Sequence, residues 1–268
     1  MNTAINVLSL FDGISVGQLS LQRAGIKVGN YLASEIDKNA IEITQKNFPN
    51  TTQLGPVENI DLSTLPHIDL LLGGSPCQGF SFAGNKLNFD DPRSKLLLEY
   101  VRIKNEVNPR WWLLENVPMK KEWQNIISEM VGVQPVKMNS SLVSAQNRER
   151  LYWTNIPFEK PDDRGIMLES IVGEYDGIWI YPRGWNKGGT SWYKGKSPTI
   201  TVSSWQYNFF IVLKDGTKRK FCPEEVEQIQ TLPINYTSGI KNGQRYKLIG
   251  NCWTCDMIVH ILNGILDK

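Results

Sequence analysis

Cysteine and histidine are scarce: the 268 residues contain four of the first and two of the second. Four thiols over this length do not make a disulfide framework, and His67 and His260 add little metal-site material. Cys252-Trp-Thr-Cys255 has the two-residue gap of a redox or zinc half-site, but no second Cys or His pair completes it, so no metal is expected. Long apolar runs are also missing. No window approaches the roughly 18 residues of a membrane span, and the N-terminus lacks a basic start followed by a cleavable apolar stretch. The expectation is an intracellular protein that does not touch a membrane. Net charge is nearly absent at +2, so bulk charge names no partner. One local absence is more telling: Gly177 to Lys214 has no Asp or Glu, yet holds Arg183, Lys187, Lys194, Lys196 and Lys214 among many Trp, Tyr and Gly residues. No internal repeat or low-complexity segment occurs.

What is present is a 41% hydrophobic chain, enough for a sizeable core. Its first half alternates short apolar runs with helical periodicity. Strands are expected at Ala4–Phe11, Tyr31–Ser34, Ile68–Leu72, Trp111–Leu114 and Leu151–Thr154, and helices at Val16–Ala24, Asn39–Asn47 and Ser94–Asn108. Strands spaced by helices imply an α/β fold, a Rossmann-like, doubly wound and mostly parallel sheet. The texture changes near Pro157. A first domain over 1–157 is expected, then a small inserted domain over 158–220, then a segment over 221–268 whose terminal helix packs back on the first domain.

In an open parallel sheet, ligands bind beyond the carboxyl ends of the strands, and four unusual features fall there. Asp12-Gly-Ile-Ser-Val-Gly17 follows the first strand, Glu35 the second, Pro76-Cys77 the third and Glu115-Asn116 the fourth. Gly13 and Gly17 permit a tight turn, and Glu35 lies at the usual distance for a carboxylate that grips a ribose diol. The loop lacks the G-x-G-x-x-G spacing and begins with an acid, which repels a pyrophosphate. A nucleoside with a cationic appendage fits better, and S-adenosylmethionine is such a molecule. An ordinary strand-to-helix turn remains the bland alternative. In Gly73-Gly-Ser-Pro-Cys77-Gln78-Gly the thiol sits where the chain bends, which suits a nucleophile more than a core filler. Gln146-Asn-Arg148-Glu-Arg150 adds two guanidiniums spaced to share one strand face. A thiolate, a carboxyl and an arginine together suit a pyrimidine ring: addition at carbon 6 turns carbon 5 into a methyl acceptor while charge builds on N3 and O2. Structural readings stand beside these: Glu115 as a helix-end charge and the arginines as surface ion-pair formers.

FDGISVG, the acid of ASEID, GGSPCQGFS, ENV, QNRERLYW and GNCW, in that order, resemble the cytosine-C5 DNA methyltransferases along nearly the whole chain. The spacing and the final Cys-Trp are most similar to the animal de novo enzymes, and QNRER to bacterial restriction-system and phage enzymes. The resemblance implies S-adenosylmethionine as cofactor, with S-adenosylhomocysteine as product. It also implies duplex DNA as partner, a cytoplasmic or nucleoid location, base flipping, and a target-recognition domain as the insertion. By motif position Cys77 is the nucleophile, supported by Pro76, Gln78 and Asn116; Glu115 contacts N3; Arg150, with Arg148 nearby, contacts O2. Phe11, Asp12, Gly13, Ile14, Gly17, Glu35, Ile36, Val57, Pro76, Leu96, Asn251, Cys252 and Trp253 line or support the cofactor pocket, and the loop Gln78–Arg93 closes over DNA. Pro56 stands where the family often has an adenine-reading aspartate, and Cys252 where a small hydroxyl residue is usual. For DNA contact the candidates are Arg183, Lys187, Trp192, Lys194, Lys196, Ser197, Thr199 and Thr201, with some of the aromatics forming the core of a small sheet. A monomer is the default expectation. The alternatives are cytosine methylation in transfer RNA, a catalytically silent DNA-binding relative and, more distantly, a nicotinamide oxidoreductase.

Overall fold

The computed structural model describes residues 3–74, 92–180, 191–202 and 209–266; for 92–94 and 191–193 it describes the backbone alone. Two compact units divide the chain. The first comprises Met1–Met138, Glu149–Lys160 and Ile258–Lys268; the second comprises Asn139–Arg148 and Pro161–Met257.

The first unit is built on a seven-stranded sheet. Its strands are β1 (Ile5–Leu10), β2 (Val28–Ser34), β3 (Thr52–Gln53), β4 (Leu70–Gly74), β5 (Trp111–Asn116), β6 (Val136–Asn139) and β7 (Glu149–Thr154). Their spatial order is β3-β2-β1-β4-β5-β7-β6. Pairings among β1 to β5 are parallel, and β7 runs antiparallel to β5. The helices along this stretch are α1 (Val16–Arg23), α2 (Lys38–Asn47), α3 (Pro92–Val107) and α4 (Lys121–Val131). Near-continuous apolar strands are what a sheet covered on both faces requires. Accordingly Val7, Leu8, Leu10, Leu70, Leu71, Leu72, Leu113 and Leu114 are fully buried. Local chemistry sets the boundaries: the Asp37 side chain caps α2 by accepting from the Asn39 amide at 3.0 Å, and Gly132 at φ 85° ends α4. The expected α/β class and mostly parallel sheet are the ones found.

Strand order reverses beside β1: the chain moves outward through β2 and β3, then returns to place β4 on the other side of β1. Ligand crevices open at such a switch point, beyond the carboxyl ends of the two central strands. Here those ends are Leu10, leading into Phe11-Asp12-Gly13, and Gly74, leading into the Pro76-Cys77 segment. Gly73 is glycine for a packing reason. A Cβ there would lie 2.6 Å from the ring of Tyr100, which is fully buried on α3.

The second unit holds a four-stranded antiparallel sheet of β8 (Gly177–Ile180), β9 (Ser191–Tyr193), β10 (Phe209–Val212) and β11 (Lys218–Arg219), in the order β11-β10-β8-β9. Short helix α5 (Glu169–Val172) precedes it, α6 (Pro223–Ile229) and α7 (Asn242–Asn251) follow, and α8 (Cys255–Asn263) carries the chain back into the first unit. Ile178 and Ile211 are fully buried, whereas Trp179 and Phe210 are half-buried, their rings 6.3 Å apart. Among the described residues no helix is long and apolar enough to cross a membrane.

Candidate active site

The turn after β1 is the most strained stretch of the first unit. Phe11, Gly13 and Ser15 all have left-handed backbones, with φ of 56°, 60° and 55°. Glycine adopts this conformation freely, but Phe11 and Ser15 each lose about 1–2 kcal/mol by it, so other contacts must hold the turn. The Asp12 amide donates to the Ser34 carbonyl at 3.1 Å, the Gly13 amide to Glu35 Oε2 at 2.7 Å and the Ser15 amide to the Asp12 carbonyl at 3.2 Å. The Asp12 carboxyl accepts from the Tyr31 hydroxyl at 2.8 Å and from the Ser15 hydroxyl, which Thr44 Oγ1 approaches to 3.2 Å. Burial pushes the Asp12 carboxyl up to about 6; its hydroxyl partners pull the other way and the neighbouring Glu35 charge adds to the rise. Gly17 is buried in the first turn of α1, beside the fully buried Ile14.

Glu35, just beyond β2, is fixed by three backbone amides: Gly13 on one oxygen, and Ile36 (2.7 Å) and Asp37 (2.8 Å) on the other. Beside it the Ile36 side chain is 73% exposed, unusual for isoleucine. Val57 is buried in the main core, and Phe11 and Leu96 are partly buried against that core. These amides bear on the ligand class. The Asp12, Gly13 and Ser15 amides of the turn are all taken, and the Asp12 carboxyl beside the start of α1 is an unfavourable neighbour for a phosphate. An uncharged ribose and a flat base need instead a held carboxylate and an apolar surface. Glu35 and Ile36 supply these.

The carboxyl ends of β4 and β5 lie beside the amino end of β7. Gly74 pairs with Glu115, and Glu115 with Tyr152. Arg150 Nε contacts Glu115 Oε1 at 2.9 Å, with side-chain exposures of 13% and 11%. Arg150 also donates to the Glu149 carbonyl at 2.7 Å. Asn116 is buried, and its side-chain oxygen accepts from the Val117 amide at 2.8 Å, turning the chain out of β5. Pro76, Cys77 and Gln78 lie outside the described residues, as do Arg183 and Lys187.

In the second unit, Arg148 is 3% exposed and donates to the carbonyls of Ile200 (2.8 Å), Cys252 (2.9 Å) and Gly250 (3.4 Å). Strand β7 begins at Glu149, so the two guanidiniums expected on one strand face have separate tasks. Lys196 is spent internally, on the Ser141 and Ser144 carbonyls and 3.7 Å from Asp163. Lys194 and Thr201 are exposed; Ser197 is buried; the Thr199 hydroxyl donates to the Asn147 carbonyl at 2.6 Å. Trp192 pairs through its backbone with Trp179. Asn251 is exposed at the end of α7, Trp253 is half-buried, and burial pushes the Cys252 thiol up to about 12, which leaves it unreactive. Among the described residues no group of three or more His, Cys, Asp and Glu side chains gathers as metal ligands would. Sequence reading missed Tyr31 and Ser15, the braces of Asp12, and Gln230, which joins Gln146 inside the second unit. The chain contains no local signal for Tyr31, whose role depends on strand register.

A model of the C-5 cytosine-specific DNA methylases matches residues 5–162 and 180–267. The chain belongs to this family. As a DNA cytosine-5 methyltransferase it is an enzyme, and S-adenosylmethionine use is general among its relatives. One of these, the type II methyltransferase M1.ScrFI of Lactococcus lactis subsp. cremoris, is 30% identical over 98% of this methylase and 77% of its own length. M.NlaX of Neisseria lactamica is 28% identical over 98% and 95%. Among solved structures, a putative DNA modification methyltransferase encoded within an E. coli prophage superposes with a TM-score of 0.74 at 19% identity, covering 98% of this chain and 99% of that one. A DNMT2 mutant of Spodoptera frugiperda gives 0.70 at 21%, covering 98% and 100%. At these identities the two structures bear on the fold of the methylase, which they share.

Proposed function

We propose that this methylase transfers a methyl group from S-adenosylmethionine to carbon 5 of a cytosine rotated out of duplex DNA, through a transient bond between Cys77 Sγ and carbon 6. The observation that carries the reading is the register Gly74–Glu115 in the parallel pair β4–β5, with Arg150 on Glu115. Cys77 comes three residues along the chain after Gly74, the position paired with Glu115. The reading is supported by the address of the acid and the cation: they lie on β5 and β7, the strands that follow β4 in the sheet order, and the carboxyl end of β4 flanks the switch point where ligands of open α/β sheets bind.

S-adenosylmethionine, when bound, supplies the electrophilic methyl group and leaves as S-adenosylhomocysteine. Glu35 would hold its ribose and Ile36 would flank its base, while Asp12 braces the turn beside them. Addition of the Cys77 thiolate to carbon 6 moves the ring's electron pair to carbon 5, the atom that takes the methyl group. Negative charge that gathers on N3 and O2 is met by Glu115, as the proton donor to N3, and by Arg150. Loss of the carbon 5 proton then returns the electron pair to the ring and expels the thiolate. Duplex DNA is the proposed substrate because the relatives above are DNA methyltransferases and because Gly177 to Lys214 is basic, aromatic and free of acids.

The test is to incubate the protein with labelled S-adenosylmethionine and either duplex DNA or transfer RNA, digest to nucleosides and identify the labelled product. The expected label is on 5-methyldeoxycytidine from duplex DNA; label from RNA alone overturns the substrate. DNA with 5-fluorocytosine at the target should trap the wild-type protein covalently, since fluorine cannot leave as a proton does. The same adduct from Cys77→Ala would remove Cys77 as nucleophile.

A further inference from the structure

Within the second unit, the segment Ser197-Pro-Thr-Ile-Thr201 is gripped by the residues that lead into the Arg150 strand. The Ser197 amide donates to the Ala145 carbonyl at 2.8 Å, the Asn147 amide to the Ser197 carbonyl at 2.8 Å, and the Thr199 hydroxyl to the Asn147 carbonyl. Ile200 is held at both of its backbone polar groups by side chains two residues apart. Its amide donates to Gln146 Oε1 at 3.3 Å, and its carbonyl accepts from Arg148 Nη1 at 2.8 Å.

Both side chains are anchored behind. Gln146, fully buried, donates to Gln230 Oε1 at 2.7 Å and to the Ile229 carbonyl at 3.2 Å; Gln230 Oε1 also accepts from Thr254 at 2.9 Å. Arg148 reaches the Gly250 and Cys252 carbonyls with its other nitrogen. Gly250 closes the grip from behind, since a Cβ there would lie 2.5 Å from the Thr201 carbonyl carbon and the Val202 amide nitrogen. The side chains flanking Ile200 escape this burial: Thr201 is exposed and Thr199 partly so. They lie inside the acid-free run Gly177 to Lys214, the part of the chain whose charge suits a phosphate backbone.

We propose that Gln146 and Arg148 are positioning residues for base selection: by clamping the Ile200 peptide groups they fix how Thr199 and Thr201 are presented to the bases flanking the target cytosine. The inference rests on DNA as the substrate. A buried guanidinium that donates to three carbonyls makes a stiff clamp, because releasing any of them leaves a desolvated acceptor unpaired. Lysine keeps the charge but lacks the planar fork, so its single nitrogen cannot stand at the positions of both Nη1, which holds the Ile200 carbonyl, and Nη2, which holds the Gly250 and Cys252 carbonyls.

The experiment uses the full chain. Unmethylated bacterial genomic DNA is treated with limiting wild-type protein or Arg148→Lys, and methylated cytosines are mapped with their flanking bases. Wild type is expected to favour particular flanks, and Arg148→Lys to lower the ratio of best to next-best flank about tenfold, within the ~5- to 150-fold that one good base contact confers. Amides 199–202 of Arg148→Lys should exchange with deuterium faster than those of the wild type. An unchanged flank ratio in a folded Arg148→Lys protein overturns the proposal. Should that variant not fold, Thr199→Val decides: it removes one grip on the segment and leaves the buried network intact, and an unchanged ratio there overturns the proposal equally. Wild type that methylates cytosine with no flank preference refutes the clamp's role in selection alone. Wild type that methylates no DNA cytosine refutes the function on which it rests.

Discussion

Two glutamate–arginine pairs, one in each unit, are alike in distance and unlike in setting. Glu115 and Arg150 meet at 2.9 Å, Glu115 at the carboxyl end of β5 and Arg150 at the amino end of the antiparallel β7, and each keeps more than a tenth of its side-chain surface open. Glu227 and Arg245 meet at 3.0 Å with 0% and 8% open. The second pair is closed upon itself. Glu227 also accepts from the Asn235 amide (2.7 Å) and from the amide and hydroxyl of Thr237 (2.8 and 2.5 Å), while Arg245 reaches Glu224 at 2.8 Å and Thr237 Oγ1 at 3.0 Å. A carboxylate surrounded in this way fastens α6 to the turn after it and to α7. The difference between the pairs lies in what remains accessible: the second is a rivet, and the first has the strand-end exposure that the reagent role proposed for it requires.

The comparison breaks if the two pairs respond alike to the same substitution. Glu115→Gln keeps shape and removes the ionisable group, and kcat should fall about 10²- to 10⁴-fold, the range for loss of a positioned acid, with a change in stability below about 1 kcal/mol. Steady-state kinetics on duplex DNA with a thermal melt checks both halves; a large loss of stability would make Glu115 structural. Glu227→Gln should do the reverse. Cutting one member out of a buried, fully bonded pair costs about 3 kcal/mol, so urea unfolding should shift to lower concentration, while kcat of the folded fraction at low temperature stays within about threefold of wild type. A specific loss of kcat with full stability would place this pair in the chemistry.

The first unit was far more legible than the second, for a physical reason. Alternation of buried strands and helices is a local, periodic signal, and every strand expected from Ala4 to Thr154 has its counterpart in β1, β2, β4, β5 or β7, shifted by a few residues at the ends. Loops at parallel strand ends inherit their address from topology, so Asp12, Glu35 and Glu115 emerge at one edge of the sheet without their side chains being consulted. The partners of those side chains were not legible. Arg148 and Arg150 have one spacing and two unlike fates, because the carbonyls that claim Arg148 come from residues 52 to 104 positions away in the chain. Lys196 counts toward a basic stretch by composition, yet its ammonium is consumed by carbonyls of Ser141 and Ser144. In the second unit the strands are of two to four residues, too short for periodicity to separate core from surface.

Asp12 sharpens the comparison from a third side, being a withdrawn carboxyl with no cation paired to it among the described residues. Its folded pKa of about 6 lies above the ordinary 3.8, so the fold favours the protonated form. This favour is present in full below about pH 3.8 and is lost as the pH rises through about 6; at neutral pH the ionised group costs on the order of 3 kcal/mol. Asp12→Asn cannot ionise and should melt several degrees higher than wild type at pH 7.5, with the gap closing as the pH is lowered toward 4. A gap that does not depend on pH would show that Asp12 is not the titrating group. The carboxylate has a compensating use: its two oxygens separately receive Tyr31 and Ser15, and so hold a turn with left-handed backbone at Phe11, Gly13 and Ser15. Asparagine has one acceptor oxygen to offer, so the same variant should bind S-adenosylhomocysteine about three- to tenfold more weakly by calorimetry, a gain in stability set against a loss of preorganisation at the cofactor turn.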